Sequence, residues 1–170
     1  MNKDDVLNLL IGGFILFLLI LLYETLVEKG LIKRRSNCTL LTSKTQLIRS
    51  VIEFTRPILE QNNIANYPGL KIYYHQHKKW AGYFSSEHAM IYVYLKNNNS
   101  VADIVNTVLH EIAHYVQHQT DPEWFSNYDD YTAMYGYYQN PLEVDSRSFA
   151  EKWTAPCLEY LKDNDIIDIT

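Results

Sequence analysis

The feature that most constrains the fold is an amphipathic helix that the sequence predicts over residues 101–119. Ser100 is a favourable N-cap, and Asp103 places a carboxylate near the positive end of the helix dipole. Apolar side chains recur along the helix at helical spacing and cover a broad arc: Val101, Ile104, Val105, Val108, Leu109, Ile112 and Val116. This pattern predicts a central helix packed beneath a sheet.

Two histidines, His110 and His114, lie four residues apart on the rim of this arc. Side chains at this spacing share one face of a helix, so both imidazoles can reach a single metal ion. Glu111, beside the first histidine, is not placed to bind the ion with them. It is placed to accept a proton from a water molecule held at the ion. The segment His-Glu-Ile-Ala-His therefore predicts a catalytic metal site.

A catalytic zinc site takes three protein ligands and keeps one position for water, so a third ligand must come from elsewhere. His118 continues the spacing, but about 12 Å of helix axis separates it from His110, which one ion cannot span. The helix predicted to start at Asn140 offers Glu143 and Asp145. Residues two apart on a helix point about 200° from each other, so only one of them can face the ion. Glu143 is preferred for its longer reach, and Asp145 is the alternative.

Other side chains near the predicted third ligand are candidates for supporting roles. Arg147 lies one turn beyond Glu143 and can steady its carboxylate. A developing oxyanion needs a second donor besides the ion, and a tyrosine just upstream could provide it. Three tyrosines are candidates, with simple packing as the alternative for each: Tyr135, Tyr137 and Tyr138.

The segment before the central helix predicts an α+β fold. A helix is expected from a cap at Thr42 or Ser43 to about residue 62, kinked or divided at Pro57. Strand-like runs follow at residues 70–75, 80–84 and 89–95. We predict a three-stranded, mainly antiparallel sheet packed on the histidine-bearing helix and on C-terminal helices. Residues 89–95 are expected to form the edge that pairs with an extended substrate.

The amino terminus predicts a membrane anchor. Residues 6–22 carry no charged side chain, and with residues 23–27 they reach the length of a bilayer-spanning helix. A signal peptide would have a basic start and a small-residue cleavage site, which this segment lacks. Because the basic residues lie mainly after the span, the positive-inside rule predicts a single-pass membrane protein with its N-terminus outside and its catalytic domain cytoplasmic. These residues are Lys29, Lys33, Arg34 and Arg35.

The predicted organisation has four parts. They are a transmembrane anchor at residues 1–28, a basic juxtamembrane linker at 29–43, the metal-site domain at 44–163 and a flexible tail at 164–170. The expected partners are the membrane, through residues 6–27, and a protein or peptide substrate. With a formal net charge of -5, the chain lacks the excess of basic residues typical of nucleic-acid binding, so no nucleic-acid partner is expected.

Two motifs together carry a family resemblance: HEIAHYVQ from His110 and NPLEVDSRSFA from Asn140. They resemble compact gluzincin-type zinc metallopeptidases, including the ImmA/IrrE-like group and minimal gluzincins, whose second motif is similar to E-x-x-A-x-x-F-A. The resemblance implies a zincin-like domain, one Zn²⁺ per chain, and Glu143 as the third ligand. No Leu-Met-Pro-like segment follows Phe149-Ala150, and an amino-terminal anchor is unusual for the ImmA/IrrE-like group. Repressor cleavage is therefore not expected.

The expected function is a membrane-anchored zinc metallopeptidase that hydrolyses peptide bonds with Glu111 as the proton acceptor. The alternative is a catalytically weak or inactive membrane-tethered module that binds peptides or proteins on a zincin fold. The intact set of His110, Glu111 and His114 argues against that alternative. A purely structural zinc site is disfavoured because such sites usually use cysteine ligands, and no cysteine pair is available.

Overall fold

The computed structural model describes residues 38–169, which form an α+β fold rich in helix. The helices in this part of the chain are α1 (Lys44–Phe54), α2 (Arg56–Gln61), α3 (Val101–Thr120), α4 (Pro122–Ser126), α5 (Tyr128–Tyr135) and α6 (Pro141–Asp163). The strands in the same residues are β1 (Cys38–Leu40), β2 (Gly69–Tyr73), β3 (Gly82–Ser85), β4 (Met90–Tyr94) and β5 (Ile167–Ile169). Short 3-10 turns occupy Leu95–Asn97 and Tyr137–Gln139.

The main sheet is mixed, with the strand order β2-β4-β3. β3 and β4 pair antiparallel across the turn at residues 86–89, whereas β2 runs parallel to β4, with Ile72 opposite Val93. The predicted antiparallel arrangement with residues 89–95 at the edge is therefore wrong, because β4 is the central strand and β3 is an edge. Alternating hydrophobicity specifies which face of a strand is buried but not which strands become its neighbours. The tight turn makes β3 pair with one edge of β4, and the other edge of β4 is left to pair with β2.

Helix α3 lies between this sheet and α6 and forms the centre of the core. Its start is a reciprocal capping box, in which the Ser100 hydroxyl accepts from the Asp103 amide and the Asp103 carboxylate accepts from the Ser100 amide. One stretch of its apolar arc is almost fully buried: Ile104, Val105, Val108, Leu109 and Ile112. The arc packs with Ile91 and Val93 of β4 in one cluster. The rim of α3 that carries the histidines is thereby held beside the edge strand β3.

The first two helices divide near the predicted proline position. α1 ends at Phe54, and Pro57 lies in the first turn of α2, where its missing amide costs no helical hydrogen bond. Ser43 caps α1 by accepting a hydrogen bond from the Gln46 amide. α1 packs against both α3 and α6, and its Leu47, Ile48 and Val51 are buried in the core.

The segments predicted as a linker and as a flexible tail meet in a second sheet. β1 and β5 pair antiparallel, with Cys38 opposite Ile169 and Leu40 opposite Ile167. Ile166 and Ile167 are buried in the main core. Burying these two side chains offsets the entropy of ordering the chain end, so residues 167–169 form a strand.

The membrane anchor predicted over residues 6–27 lies outside the described residues. Within residues 38–169, no helix is long and apolar enough to cross a membrane. The long helices there are amphipathic and carry charged side chains. The prediction of a single-pass membrane protein, with its N-terminus outside and a cytoplasmic catalytic domain, is therefore not supported and is withdrawn.

Candidate metal centre

Two helices bring three side chains together at the edge of the sheet. His110 and His114 project from α3, and Glu143 projects from the first turn of α6. His110 Nε2 lies 3.2 Å from Glu143 Oε2, and His114 Nε2 lies 3.2 Å from Glu143 Oε1. One potential ligand atom from each residue lies within 4.8 Å of the others. These three residues could hold a metal ion, and we refer to them as the metal group.

The chemistry of this group fits a cation. Glu143 is only 2 % exposed, and its Oε2 atom is buried without a hydrogen-bond partner. A buried carboxylate oxygen without a partner is costly, because water no longer solvates its charge. A metal ion bound between the carboxylate and the two imidazole nitrogens would satisfy all three groups. Two imidazoles and one carboxylate are also a donor set that suits a divalent metal ion.

The two buried glutamates of the site differ in their affinity for protons. Burial raises the pKa of Glu111, and the neighbouring His110 and His114 only partly oppose this effect. Burial also opposes the charge on Glu143, but the two histidines, each 3.2 Å from one of its oxygens, and the hydrogen bond from Tyr128 outweigh burial and hold the pKa of Glu143 well below its usual range. Divergent pKa values in one site typify a division of roles between carboxylates. Glu143 remains an anion, while Glu111 is the better proton acceptor.

Glycine at position 82 lets β3 approach Glu111 closely. A Cβ atom on Gly82 would lie 2.7 Å from Cγ2 of Thr107 and 3.2 Å from Cγ of Glu111. The first distance is shorter than a real carbon–carbon contact, so a larger residue would force strand and helix apart. The free edge of β3 therefore lies directly beside the metal group.

Asp145, the alternative third ligand, lies outside the metal group. Its Oδ2 atom accepts a hydrogen bond of 2.8 Å from Nε2 of Gln117, a buried residue of α3. The same Gln117 side chain lies against the ring of His114, with Oε1 2.9 Å from Nδ1. Sequence reasoning missed Gln117, although its position three residues after His114 on the same helix is a signal that could have found it.

A tyrosine that sequence reasoning did not single out contacts the third ligand. The hydroxyl of Tyr128 donates a 2.6 Å hydrogen bond to Glu143 Oε1. Its helix, α5, is tied to the start of α6 by Asn140, whose amide group donates to the Tyr128 carbonyl and to the Thr132 hydroxyl. Fifteen residues separate Tyr128 from Glu143, so no local spacing rule connects them.

The three tyrosines nominated from the sequence occupy different environments. Tyr137, which is 37 % exposed, lines the cleft, and its partial burial together with the nearby Glu143 raises its pKa. Tyr135 and Tyr138 are 50 % and 77 % exposed, and neither lines the cleft.

The remaining charged and titratable neighbours lie at the margin of the site. Arg147 places Nη1 3.7 Å from Glu143 Oε2 and donates to the Tyr138 carbonyl through Nη2. His118, excluded as a ligand by helix geometry, packs between the rings of Phe84 and Phe125.

The metal group opens into a cleft of about 430 Å³. Its walls are largely aromatic and come from the β3 region, α4, α5 and the turn after α5: Trp80, Tyr83, Phe84, Phe125, Tyr128 and Tyr137. Among the described residues that line it, Asp129 is the one charged side chain besides Glu111 and the metal group. The cleft therefore suits a ligand with bulky apolar groups and, beside Asp129, a positive charge.

The chain matches no protein-family model, and no curated protein or solved structure matches it significantly.

Proposed function

We propose that this protein is a zinc-dependent metallopeptidase that hydrolyses peptide bonds. One observation carries the proposal: two imidazoles and a buried carboxylate, one oxygen of which accepts no hydrogen bond, converge at a cleft, and a second buried carboxylate, Glu111, lies beside them. Metal-dependent hydrolysis of a peptide bond uses this combination of a cation site and a proton acceptor. The resemblance of the two sequence motifs to compact gluzincins supports the same conclusion.

His110, His114 and Glu143 would hold one zinc ion per chain. When bound, zinc supplies Lewis acidity that polarises the scissile carbonyl and acidifies a water molecule. Glu111 accepts the proton of the attacking water and passes it to the leaving amine. The raised pKa of Glu111 suits this role, because a stronger base takes the proton more readily.

A tyrosine hydroxyl would stabilise the charge that develops on the substrate oxygen. Among Tyr135, Tyr137 and Tyr138, we assign this role to Tyr137 because it lines the cleft. The raised pKa of Tyr137 keeps its hydroxyl protonated and able to donate. Tyr128 already donates to Glu143, so it is assigned to holding the ligand.

The substrate would be an extended peptide lying along the free edge of β3. An edge strand presents unpaired amide and carbonyl groups that can pair with another chain. The aromatic walls would receive bulky apolar side chains, and Asp129 would favour a basic residue.

Asp129→Asn should reduce cleavage of peptides with a basic residue at the matching position. The control is Asp130→Asn, because Asp130 is exposed on the same helix and does not line the cleft.

The decisive experiment measures zinc per chain and cleavage of a mixed peptide library by the wild type and by Glu111→Gln. We expect about one zinc per chain in both proteins and cleavage only by the wild type. Unchanged cleavage by Glu111→Gln would refute the mechanism. Peptide binding without cleavage by the zinc-loaded wild type would instead support the alternative, a binding module on this fold.

A further inference from the structure

The buried amide of Gln117 connects the two helices that carry the metal group. Its Nε2 atom lies 3.0 Å from the carbonyl oxygen of Leu142, 2.8 Å from Oδ2 of Asp145 and 3.1 Å from Oγ of Ser146. All three acceptors belong to the first two turns of α6, whereas Gln117 belongs to α3. One side chain of α3 thus reaches the residue immediately before Glu143.

The chemistry of these neighbours dictates which way the amide points. A backbone carbonyl and a carboxylate can only accept hydrogen bonds, so the side of the amide that faces Leu142 and Asp145 must be the NH₂ group. A flipped amide would place its oxygen against these two acceptors, so that oxygens with no hydrogen between them would face each other. The Oε1 atom of Gln117 therefore faces His114 Nδ1 at 2.9 Å.

This orientation determines the protonation pattern of the histidine ring. An amide oxygen can only accept a hydrogen bond, so the hydrogen between the two atoms must be bonded to His114 Nδ1. Nε2, the atom 3.2 Å from Glu143 Oε1, is then the ring nitrogen that can offer its lone pair to a metal. Ligands of this kind are usually oriented by a hydrogen bond from their second nitrogen.

We propose that Asp145 and Gln117 act as a positioning relay that holds His114 in the tautomer required for metal binding. Asp145 orients the amide of Gln117, and Gln117 in turn orients the ring of His114. The role of Asp145 in the site is therefore indirect, through an amide, rather than as a metal ligand. This inference rests on the metal group of the proposed function but does not require peptide cleavage.

The first test compares Gln117→Met with Gln119→Met. Methionine keeps the length of the side chain and removes both hydrogen-bonding groups, and Gln119 is an exposed residue of the same helix. Zinc affinity, measured by competition with a chromophoric chelator, should fall about 10- to 100-fold in Gln117→Met and stay at the wild-type value in Gln119→Met. Equal affinities in the two variants would overturn the relay.

The second test separates the relay from general stability. Asp145 is exposed, so Asp145→Ala should fold even where a change at the buried Gln117 does not. We expect weaker zinc binding in Asp145→Ala and recovery in Asp145→Asn, which retains an acceptor oxygen. Equal affinity in Asp145→Ala and wild type would remove Asp145 from the relay. A loss in Ser146→Ala but not in Gln117→Met would make the serine hydroxyl, 3.1 Å from Nδ1, the true acceptor.

The third test observes the hydrogen itself by ¹H–¹⁵N NMR of the histidine rings. The wild type should show an N–H resonance at Nδ1 of His114 that exchanges slowly with water, both with and without zinc. In Gln117→Met this resonance should be absent, or its hydrogen should exchange faster with water. If the Nδ1 resonance is absent from the wild type, the relay is refuted. If the wild type fails to bind zinc or to cleave peptides, the proposed function is refuted. The two failures are thereby distinguishable.

Discussion

The hydroxyl of Tyr128 donates a 2.6 Å hydrogen bond to Oε1 of Glu143, joining α5 to the carboxylate at the centre of the metal group. Hydrogen bonds to charged groups contribute about 1.5–3 kcal/mol, roughly twice the contribution of neutral ones. Oε2 of Glu143 lies near His110 and Arg147 but accepts no hydrogen bond, so the hydrogen bond from Tyr128 contributes to the orientation of the carboxylate.

Removing that hydroxyl should weaken metal binding. Tyr128→Phe keeps the ring in the cleft and deletes only the donor, so zinc affinity is expected to fall about 10-fold. Tyr131→Phe is the matched control, because Tyr131 lies on the same helix and packs on Tyr135 instead. A chelator competition assay measures both variants, and equal losses in the two would show that Tyr128 does not orient Glu143.

The close approach of β3 to α3 should make Gly82 intolerant of a side chain. In Gly82→Ala the new methyl group clashes with Thr107, and overpacking of this kind costs about 1–3 kcal/mol. We expect a lower free energy of unfolding in urea and slower peptide cleavage, because the strand moves away from Glu111.

A second-site change tests the cause of that effect. Thr107→Ser removes the clashing methyl group and keeps the hydroxyl that donates to Asn98. The double variant should regain part of the stability lost in Gly82→Ala. If the changes in unfolding free energy of the two single variants simply add in the double variant, the contact with Thr107 does not cause the loss of stability.

The buried side chain of Asn140 is expected to have two separable roles. Its oxygen caps α6 by accepting from the Leu142 amide, while its NH₂ group donates to the Tyr128 carbonyl and the Thr132 hydroxyl. Asn140→Ala loses both roles and should lower the free energy of unfolding by about 1–3 kcal/mol. Asn140→Asp keeps the cap and loses the donors, so it should retain α6 while zinc affinity falls. Circular dichroism and chelator competition report the two effects, and normal zinc affinity in Asn140→Asp would contradict the second role.

The thiol of Cys157 should be unreactive in the folded protein. Burial raises the pKa of Cys157 to about 12, so the thiol stays protonated at neutral pH. The thiolate is the reactive form, and alkylation by iodoacetamide at pH 8 should therefore wait for unfolding. Because the pKa in the folded state is raised, the stabilising contribution is complete below the unfolded pKa, near 9, and is lost as pH rises toward 12.

Peptide mapping by mass spectrometry locates the modified cysteine with and without urea. Alkylation of Cys157 in the native protein at the rate seen in urea would contradict its burial. For the pH dependence, Cys157→Ala is the matched variant. Its stability should lack the part of the decline above pH 9 that the wild-type thiol contributes.

The sequence contained the local part of the site. The four-residue spacing of His110 and His114 depends only on helix geometry, and the caps at Ser100 and Asn140 depend on a few neighbouring residues. These features follow from short-range sterics and hydrogen bonding, so they can be inferred without a tertiary structure. Spacing alone left Glu143 and Asp145 as alternatives, because each could face the ion if α6 were rotated.

Contacts between distant residues were beyond such inference. The parallel pairing of β2 with β4, the hydrogen bond from Tyr128 to Glu143 and the reach of Gln117 to Asp145 join residues 15 or more positions apart. Each depends on how complete elements pack, and hydrophobic patterns specify buried faces without specifying neighbours. For the same reason the strand order, with β3 rather than β4 at the edge, was wrongly predicted.

By itself the sequence determined that a central, capped helix would present two histidines on its rim, with a glutamate beside the first of them. The tertiary structure alone decided that Glu143 lies with those histidines, that Asp145 instead holds Gln117, and that the edge of β3 lies beside them. The physical reason is the range of the forces involved. Helix geometry and capping act within a few residues, whereas the metal group depends on the packing of α3 against both α6 and the sheet.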